Sequence, residues 1–328
     1  MAKRNILSFM TEHPYPNRVL VIAGPTASRK STLAIDAAVE FDGVVINGDS
    51  MQVYGDLRRL SARPSLEDEA RAPHRLFGVL DGTEACSVGR WLELAAAEIA
   101  AVRAEGKLPI VVGGTGLYLK ALLEGLAPVP NIDSTVRAEA EAMHDRLGGA
   151  AFRDALHDLD PEGADRLASG DRQRLTRAWA VAKATGRALG DWQRDAPVGP
   201  AVEATFAVVI LAPERELLYR AIDERFRAMV ADGALDEVRD LVARRLDPGL
   251  PLMKAVGVRE LAGHLAGDTS LEDAVAAAQR STRNFAKRQS TWLRHQVPYG
   301  EIFHAQYSES IRPKIFSFIR QFLLTDSM

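Results

Sequence analysis

Three features that would narrow the class of this protein are scarce or missing in its 328 residues. Its single cysteine, Cys86, excludes an internal disulfide and any cysteine-rich zinc site. No run reaches the roughly 18 apolar residues of a membrane helix, and the basic N-terminus lacks the long apolar segment of a signal peptide. The net charge of −3 gives no overall attraction to nucleic acid, so a site for a polyanion must be a local patch. We therefore expect a cytoplasmic enzyme without a membrane partner.

Four short apolar runs are typical of strands buried on both faces of a parallel sheet, and helical periodicity fills the intervals between them. The runs are 19–23, 44–47, 109–114 and 206–212. This alternation favours an α/β fold with a parallel sheet core flanked by helices. From about residue 131 the residue pattern changes, because charged stretches with helical periodicity replace the strand-like apolar runs. We predict a flexible N-terminal arm (1–17), a first core segment (18–130), an all-helical insertion (131–203), and a segment that completes the core and carries basic C-terminal helices (204–328).

The first predicted strand leads into the sequence GPTASRKS, which runs from Gly24 to Ser31. It resembles the G-x-x-x-x-G-K-[ST] phosphate loop (P-loop), whose backbone N–H groups surround phosphate oxygens at a helix N-terminus. In that pattern Lys30 neutralises phosphate charge and the Ser31 hydroxyl ligates Mg²⁺. The alternative is an ordinary strand–helix turn with an exposed lysine.

Arg29 departs from the P-loop pattern, which has glycine at this position. The position usually needs a backbone conformation that glycine adopts freely, and a β-carbon there costs on the order of 1–3 kcal/mol. Its guanidinium could crowd a phosphate or add a contact to one. A damaging substitution, a tolerated variant and an error in the sequence are all consistent with this residue.

Two further polar residues follow predicted strands. Asp49 comes after the run 44–47, and Thr115 comes after the run 109–114. Because open parallel sheets bind ligands at the carboxyl ends of their strands, Lys30, Asp49 and Thr115 are expected to converge on one site. Each of the last two could equally be only a helix N-cap, and spacing does not decide between these interpretations.

Five stretches together resemble the tRNA dimethylallyltransferase family across about residues 18–296. They are GPTASRKS, DSMQVY, VVGGTGLYLKALLEGL, KAVGVREL and STRNFAKRQSTWLR. Members of this family transfer a dimethylallyl group from its diphosphate to N6 of adenosine 37, beside the tRNA anticodon. The resemblance implies a P-loop-type core, Mg²⁺ as cofactor, and dimethylallyl diphosphate and the anticodon stem-loop as partners. We expect the chain to act as a monomer.

The resemblance also implies roles for individual residues. Asp49 is similar to the base that accepts the proton of the adenine amine, Thr115 to a threonine at the reacting centre, and Arg225 to an arginine near the diphosphate. With Lys30, these are the predicted catalytic residues. The predicted diphosphate cradle consists of Gly24, Pro25, Thr26, Ala27, Ser28, Arg29, Lys30 and Ser31, and the implied tRNA contacts are Asp49, Ser50, Met51, Gln52, Thr115, Arg137, Gln173, Arg174, Leu175, Thr176 and Arg177.

The stretch 280–295 supports an RNA partner without the resemblance, since it carries five Lys or Arg residues and no acid. A basic stripe on a helix is typical of a surface that binds the phosphate backbone, although it could also be only a solvated face. Arg283, Lys287 and Arg288 are therefore predicted tRNA contacts.

Three rival functions remain open at this point. A P-loop small-molecule kinase would not explain the basic helix, and a prenyltransferase for free adenine nucleotides would have less use for the helical insertion. An RNA-binding protein with a decayed phosphate loop conflicts with the presence of Lys30, Ser31, Asp49 and Thr115.

Overall fold

The computed structural model describes residues 17–195, 202–297 and 299–325, so the predicted arm lies outside the described residues apart from Asn17. The described residues contain a six-stranded sheet in which every pair of neighbouring strands is parallel. Numbered along the chain, its strands are in the spatial order β3-β2-β4-β1-β5-β6. The strands are β1 (Arg18–Ala23), β2 (Gly43–Asn47), β3 (His74–Arg75), β4 (Leu108–Gly113), β5 (Thr205–Leu211) and β6 (Glu301–Phe303). The parallel α/β fold and its four predicted strands are confirmed. The sequence prediction missed the two edge strands, because two or three residues are too short to show a pattern.

Helices cover the sheet and form the insertion. Those of the first core segment are α1 (Lys30–Glu40), α2 (Leu66–Arg71), α3 (Val88–Ala104) and α4 (Gly116–Glu124). The insertion contains α5 (Ser134–His157), α6 (Pro161–Arg166), α7 (Arg172–Thr185) and α8 (Leu189–Arg194). The remaining helices are α9 (Arg215–Met229), a π-helical turn (Val230–Ala234), α10 (Leu235–Ala243), a 3₁₀ turn (Leu252–Lys254), α11 (Val258–Leu265), α12 (Leu271–Gln296) and α13 (Arg312–Leu324). None of the helices in these described ranges is long and apolar enough to cross a membrane.

The described chain divides into two compact units. Residues 124–195 form a helical unit, and residues 17–123, 202–297 and 299–325 form the sheet unit. The helical unit begins slightly earlier than the predicted insertion, at the last residue of α4. It has its own apolar core, in which Phe152 and Trp179 are buried and their rings lie 6.3 Å apart.

The sheet unit is held together by strands that are apolar on both faces. All six residues of β1 and all six of β4 are buried. Helices α1 and α13 contribute Leu33, Ile315 and Ile319 to the core that covers them. Because full burial fixes the strands firmly, the loops at their carboxyl ends start from defined positions, and these loops carry the predicted site residues.

Candidate active site

The phosphate loop joins β1 to α1 and contains two non-glycine residues in the left-handed region. Ala27 has φ 64°, and Arg29, the N-cap of α1, has φ 63° and ψ 27°. The Ala27 side chain is held by packing against Leu218 and Ile222 of α9 and Ala286 of α12. Helix α1 has no side-chain cap and no acidic residue in its first turn, which leaves its first N–H groups available to an anion.

Arg29 adopts the glycine-type backbone expected from the sequence, and its side chain is exposed. The side chain lines a surface concavity together with Thr32, Tyr307 and Arg312. Neither Lys30 nor Asp49 lines this concavity. Within the described ranges, no hydrogen bond or ion pair involves the guanidinium of Arg29. The backbone of residue 29 therefore has the left-handed conformation that glycine would adopt at this position.

Two cations and one carboxylate meet next to the phosphate loop. Lys30 Nζ lies 3.4 Å from the Pro25 carbonyl oxygen, and Arg225 donates a hydrogen bond to the Thr26 hydroxyl. Both side chains keep some exposed surface, but burial of their charged ends lowers the pKa of Lys30 to about 8 and that of Arg225 to about 10. The Asp49 carboxylate opposes both shifts, so it lies close to both cations. The excess of positive charge favours an anionic ligand.

Asp49 is fixed by the end of β2. The Asn47 side chain accepts a hydrogen bond from the Asp49 N–H (2.8 Å) and donates one to the Asp49 carbonyl oxygen (3.0 Å). Asp49 Oδ1 accepts from the Met51 N–H at 2.9 Å, whereas Oδ2 has no hydrogen-bond partner in the part of the chain that the structure describes. No helix begins at Asp49, so it is not a helix N-cap. One carboxylate oxygen is oriented and the other is free to accept a proton.

Thr115 stands directly before α4, yet its hydroxyl oxygen accepts the Ser50 N–H at 2.9 Å. It also donates to the Ser50 hydroxyl at 3.3 Å. The ends of β2 and β4 approach so closely that a β-carbon on Gly113 would lie 2.0 Å from the Gly48 carbonyl oxygen. The structure thus brings Asp49, Thr115 and Lys30 to one edge of the sheet, as the strand pattern predicts.

Several supporting residues escaped the sequence prediction. Trp91 donates its indole N–H to the Asn47 carbonyl oxygen at 2.9 Å, and its ring stacks on Tyr118 with centroids 4.4 Å apart. Gln289 of α12 bonds to the phosphate loop. Asn47 could have been identified from the sequence, because it is a polar residue at the end of an apolar strand. Nothing local in the sequence indicates which segments Trp91 and Gln289 contact.

In the helical unit, α7 presents Gln173, Arg174 and Arg177 to solvent, and Thr176 is half-buried. Leu175 is fully buried in the core of this unit, so its side chain cannot contact RNA, and the prediction is wrong for that residue. Arg177 keeps exposed surface, but partial burial of its guanidinium lowers its pKa, and the nearby Arg137 of α5 adds to the shift. The remaining contacts stay predictions.

The basic residues of α12 point in several directions. Arg283 donates a hydrogen bond to the Asp223 carboxylate of α9, so an acid on another helix balances one of the basic residues of this stretch. Lys287 contributes to a cavity of about 580 Å³ beside Pro25, and the Arg288 guanidinium lies 5.8 Å from the centre of the Phe285 ring. Near Asp49, Gln52 donates to the carbonyl oxygens of Ser61 and Ala62. These residues also stay predictions as RNA contacts.

The fit of the site to Mg²⁺ rests on Ser31. In the described ranges, no group of three His, Cys, Asp or Glu residues could hold a metal ion. Mg²⁺ usually binds few protein groups and relies on substrate phosphates for its other ligands. The Ser31 side chain is exposed in the first turn of α1, where a ligand of this kind belongs.

A parallel sheet with a phosphate loop after its first strand, and a carboxylate and a threonine on two other strand ends, is the arrangement of a P-loop-type enzyme. The chain belongs to the IPP transferase family, whose model matches residues 52–296. Its relatives include a tRNA dimethylallyltransferase of Paramagnetospirillum magneticum, 56% identical over 93% of this chain and 97% of the relative.

Two solved structures resemble the chain. The full-length tRNA isopentenylpyrophosphate transferase of Bacillus halodurans is 30% identical with a TM-score of 0.69, and the match covers 94% of this chain and 97% of that one. A eukaryotic dimethylallyltransferase acting on tRNA has a TM-score of 0.79 at 24% identity, covering 94% of this chain and 80% of that one, and so supports the fold alone. The family resemblance stated from the motifs is confirmed.

Proposed function

We propose that this chain transfers the dimethylallyl group of dimethylallyl diphosphate to N6 of adenosine 37 in tRNA. The observation that carries the proposal is the group of two partly buried cations and one carboxylate formed by Lys30, Arg225 and Asp49 beside the phosphate loop. Allylic transfer needs positive charge for a leaving diphosphate and a base for the attacking amine. Because tRNA is the second substrate, the reaction takes place in the cytoplasm.

The diphosphate lies in the loop from Gly24 to Ser31, against the N–H groups at the start of α1. As the bond between carbon C1 of the allyl group and the diphosphate oxygen breaks, Lys30 and Arg225 stabilise the charge that collects on the leaving group. The Ser31 hydroxyl would hold Mg²⁺, which would supply further positive charge for the leaving group.

The adenine amine forms its new bond to C1 while its proton passes to Asp49 Oδ2, the oxygen that has no partner in the described protein. The hydrogen bond between the Thr115 hydroxyl and the Ser50 N–H keeps Asp49 beside the reacting centre. The base must be unstacked to reach this position, as enzymes that act on bases generally require. The amine nitrogen exchanges one proton for the dimethylallyl group, and the diphosphate leaves as an anion.

Both units offer basic groups for the anticodon arm. In the helical unit Arg137, Arg174 and Arg177 are exposed, and Arg137 and Arg177 lie close enough to repel each other. Arg174 pairs with Asp171 at 3.4 Å, whereas the like charges of Arg137 and Arg177 favour a polyanionic partner. A single-stranded loop is the form of RNA that a pocket can read. A monomer supplies all of these residues.

The test is transfer of labelled dimethylallyl from its diphosphate to an anticodon stem-loop with adenosines at positions 36, 37 and 38, in the presence of Mg²⁺. A stem-loop with guanosine at position 37 serves as the control RNA. We expect label on the first RNA and none on the second. Absence of label on the first RNA, together with hydrolysis of ATP, would instead favour the kinase interpretation.

A further inference from the structure

A single buried side chain joins the phosphate loop to the turn that carries Thr115. Gln289 of α12 is 6% exposed, and its carboxamide oxygen accepts the Thr26 N–H at 2.8 Å. Its amide nitrogen donates to the Gly114 carbonyl oxygen at 2.9 Å. Only a side chain with an acceptor and a donor on one planar group satisfies both loops at this separation.

The turn after β4 is adapted to this contact. A β-carbon on Gly114 would lie 2.3 Å from the Gln289 amide nitrogen, and one on Gly116 would lie 2.3 Å from the Trp292 ring. Helix α12 therefore approaches the turn more closely than any residue other than glycine would allow at these two positions. The contact depends on residues from both sides.

The bonded residues stand on either side of the reaction. Thr26 belongs to the predicted diphosphate cradle, and its hydroxyl oxygen also accepts a hydrogen bond from the Arg225 guanidinium. Gly114 precedes Thr115, whose hydroxyl accepts the N–H of Ser50, the neighbour of Asp49. Hydrogen bonds thus connect residues on the leaving-group side with residues on the base side, by way of the adjacent residues Gly114 and Thr115 and with Gln289 as the bridge.

We propose that Gln289 is a positioning residue for the transfer step, which holds the diphosphate loop and the Thr115 turn at a fixed separation. This inference rests on the proposed function. The transfer reaction requires the attacking nitrogen, the allylic carbon and the leaving oxygen to lie in line. A shift of about 1 Å in the position of one of these atoms can lower the rate on the order of a hundredfold. Both polar atoms of the Gln289 carboxamide bond to the two loops, so the residue acts through them.

The test compares Gln289→Met, which removes both hydrogen bonds at similar volume, with Gln279→Met as a matched control. Gln279 lies on the same helix, is also 6% exposed, and donates its amide to the Asp223 carbonyl oxygen of α9 at 2.9 Å rather than to the phosphate loop. We expect both variants to lose similar thermal stability. Only Gln289→Met should lower kcat at saturating substrates, by about a hundredfold, while its affinity for tRNA stays within threefold of the unaltered chain.

Gln289→Glu supplies a second readout that a merely structural role would not give. Its ionised carboxylate still accepts the Thr26 N–H but opposes the Gly114 carbonyl oxygen, whereas the protonated acid donates to that oxygen again. Its kcat, relative to the unaltered chain, should therefore rise as the pH is lowered.

The outcomes separate the two proposals. If the unaltered chain transfers the label and Gln289→Met retains kcat within threefold, or loses no more than Gln279→Met does, the positioning role is overturned while the proposed function stands. If the unaltered chain transfers no label, the proposed function fails, and the positioning role fails with it.

Discussion

The Thr115 hydroxyl accepts the backbone N–H of Ser50 at 2.9 Å, although Thr115 occupies the position before α4 where a threonine commonly caps its own helix. The side chain therefore joins two strand ends instead of satisfying the helix that follows it. This relationship fixes the segment that holds Asp49 relative to the turn after β4. It argues against the interpretation of Thr115 as only a helix N-cap, and its role at the reacting centre stays a prediction.

Asp49→Asn should lower transfer by a factor of about 10² to 10⁴, the usual contribution of a general base. Asparagine keeps an oxygen to accept the Met51 N–H, so the local structure and tRNA binding should change little. Steady-state transfer and a tRNA binding titration measure the two effects. Glu93→Gln, at an exposed position of α3, is the control. Near-normal transfer by Asp49→Asn would remove Asp49 as the base.

Arg29→Gly should stabilise the chain by about 1 kcal/mol relative to Arg29→Ala, because only glycine adopts the left-handed conformation at residue 29 without strain. Thermal unfolding of the two variants measures this difference. We also expect Arg29→Gly to lower the KM for dimethylallyl diphosphate and Arg29→Ala to leave it unchanged, since alanine removes the guanidinium but keeps the strain. An equal KM in both variants and the unaltered chain would mean that arginine is fully accommodated.

Diphosphate affinity should depend on pH through Lys30, whose pKa is lowered to about 8 by burial. Below pH 8 the ammonium is present and binds the anion; above pH 8 the free chain loses this proton, and affinity should fall by up to about tenfold per pH unit. Calorimetric titration with inorganic diphosphate from pH 7 to about 9.5 measures the fall. In Lys30→Met, the affinity for diphosphate should change with pH only through the titration of the diphosphate itself. An identical dependence of affinity on pH in both proteins would contradict the prediction.

Arg177→Gln should weaken tRNA binding and reduce the slope of log K against log salt concentration by about 1, as expected for the loss of one phosphate contact. Arg172→Gln is a matched control on the same helix, because Arg172 already pairs with Asp145 at 2.9 Å. Filter binding across a range of salt concentrations gives both slopes. Equal slopes for the two variants would place the RNA elsewhere on the helical unit.

The sequence predicts the parts of the site that depend on local pattern. The apolar runs locate the central strands, and strand ends in a parallel sheet share one edge, which brings Asp49 and Thr115 together. The glycine pattern identifies the strained position at Arg29, but Ala27 adopts the same conformation without any signal in its residue type. Contacts between distant segments, such as Gln289 with Thr26 or Arg283 with Asp223, depend on how α12 packs, which no local pattern encodes.

The two outermost strands of the sheet have a further consequence for the behaviour of the chain in concentrated solution. β3 contains two residues and β6 contains three, so each exposes only a short row of unpaired backbone groups. A long, flat edge is a template on which a second chain can add a strand, and short edges limit such aggregation. The central strands, which are strongly apolar, are thereby kept out of reach of neighbouring molecules once the sheet has formed.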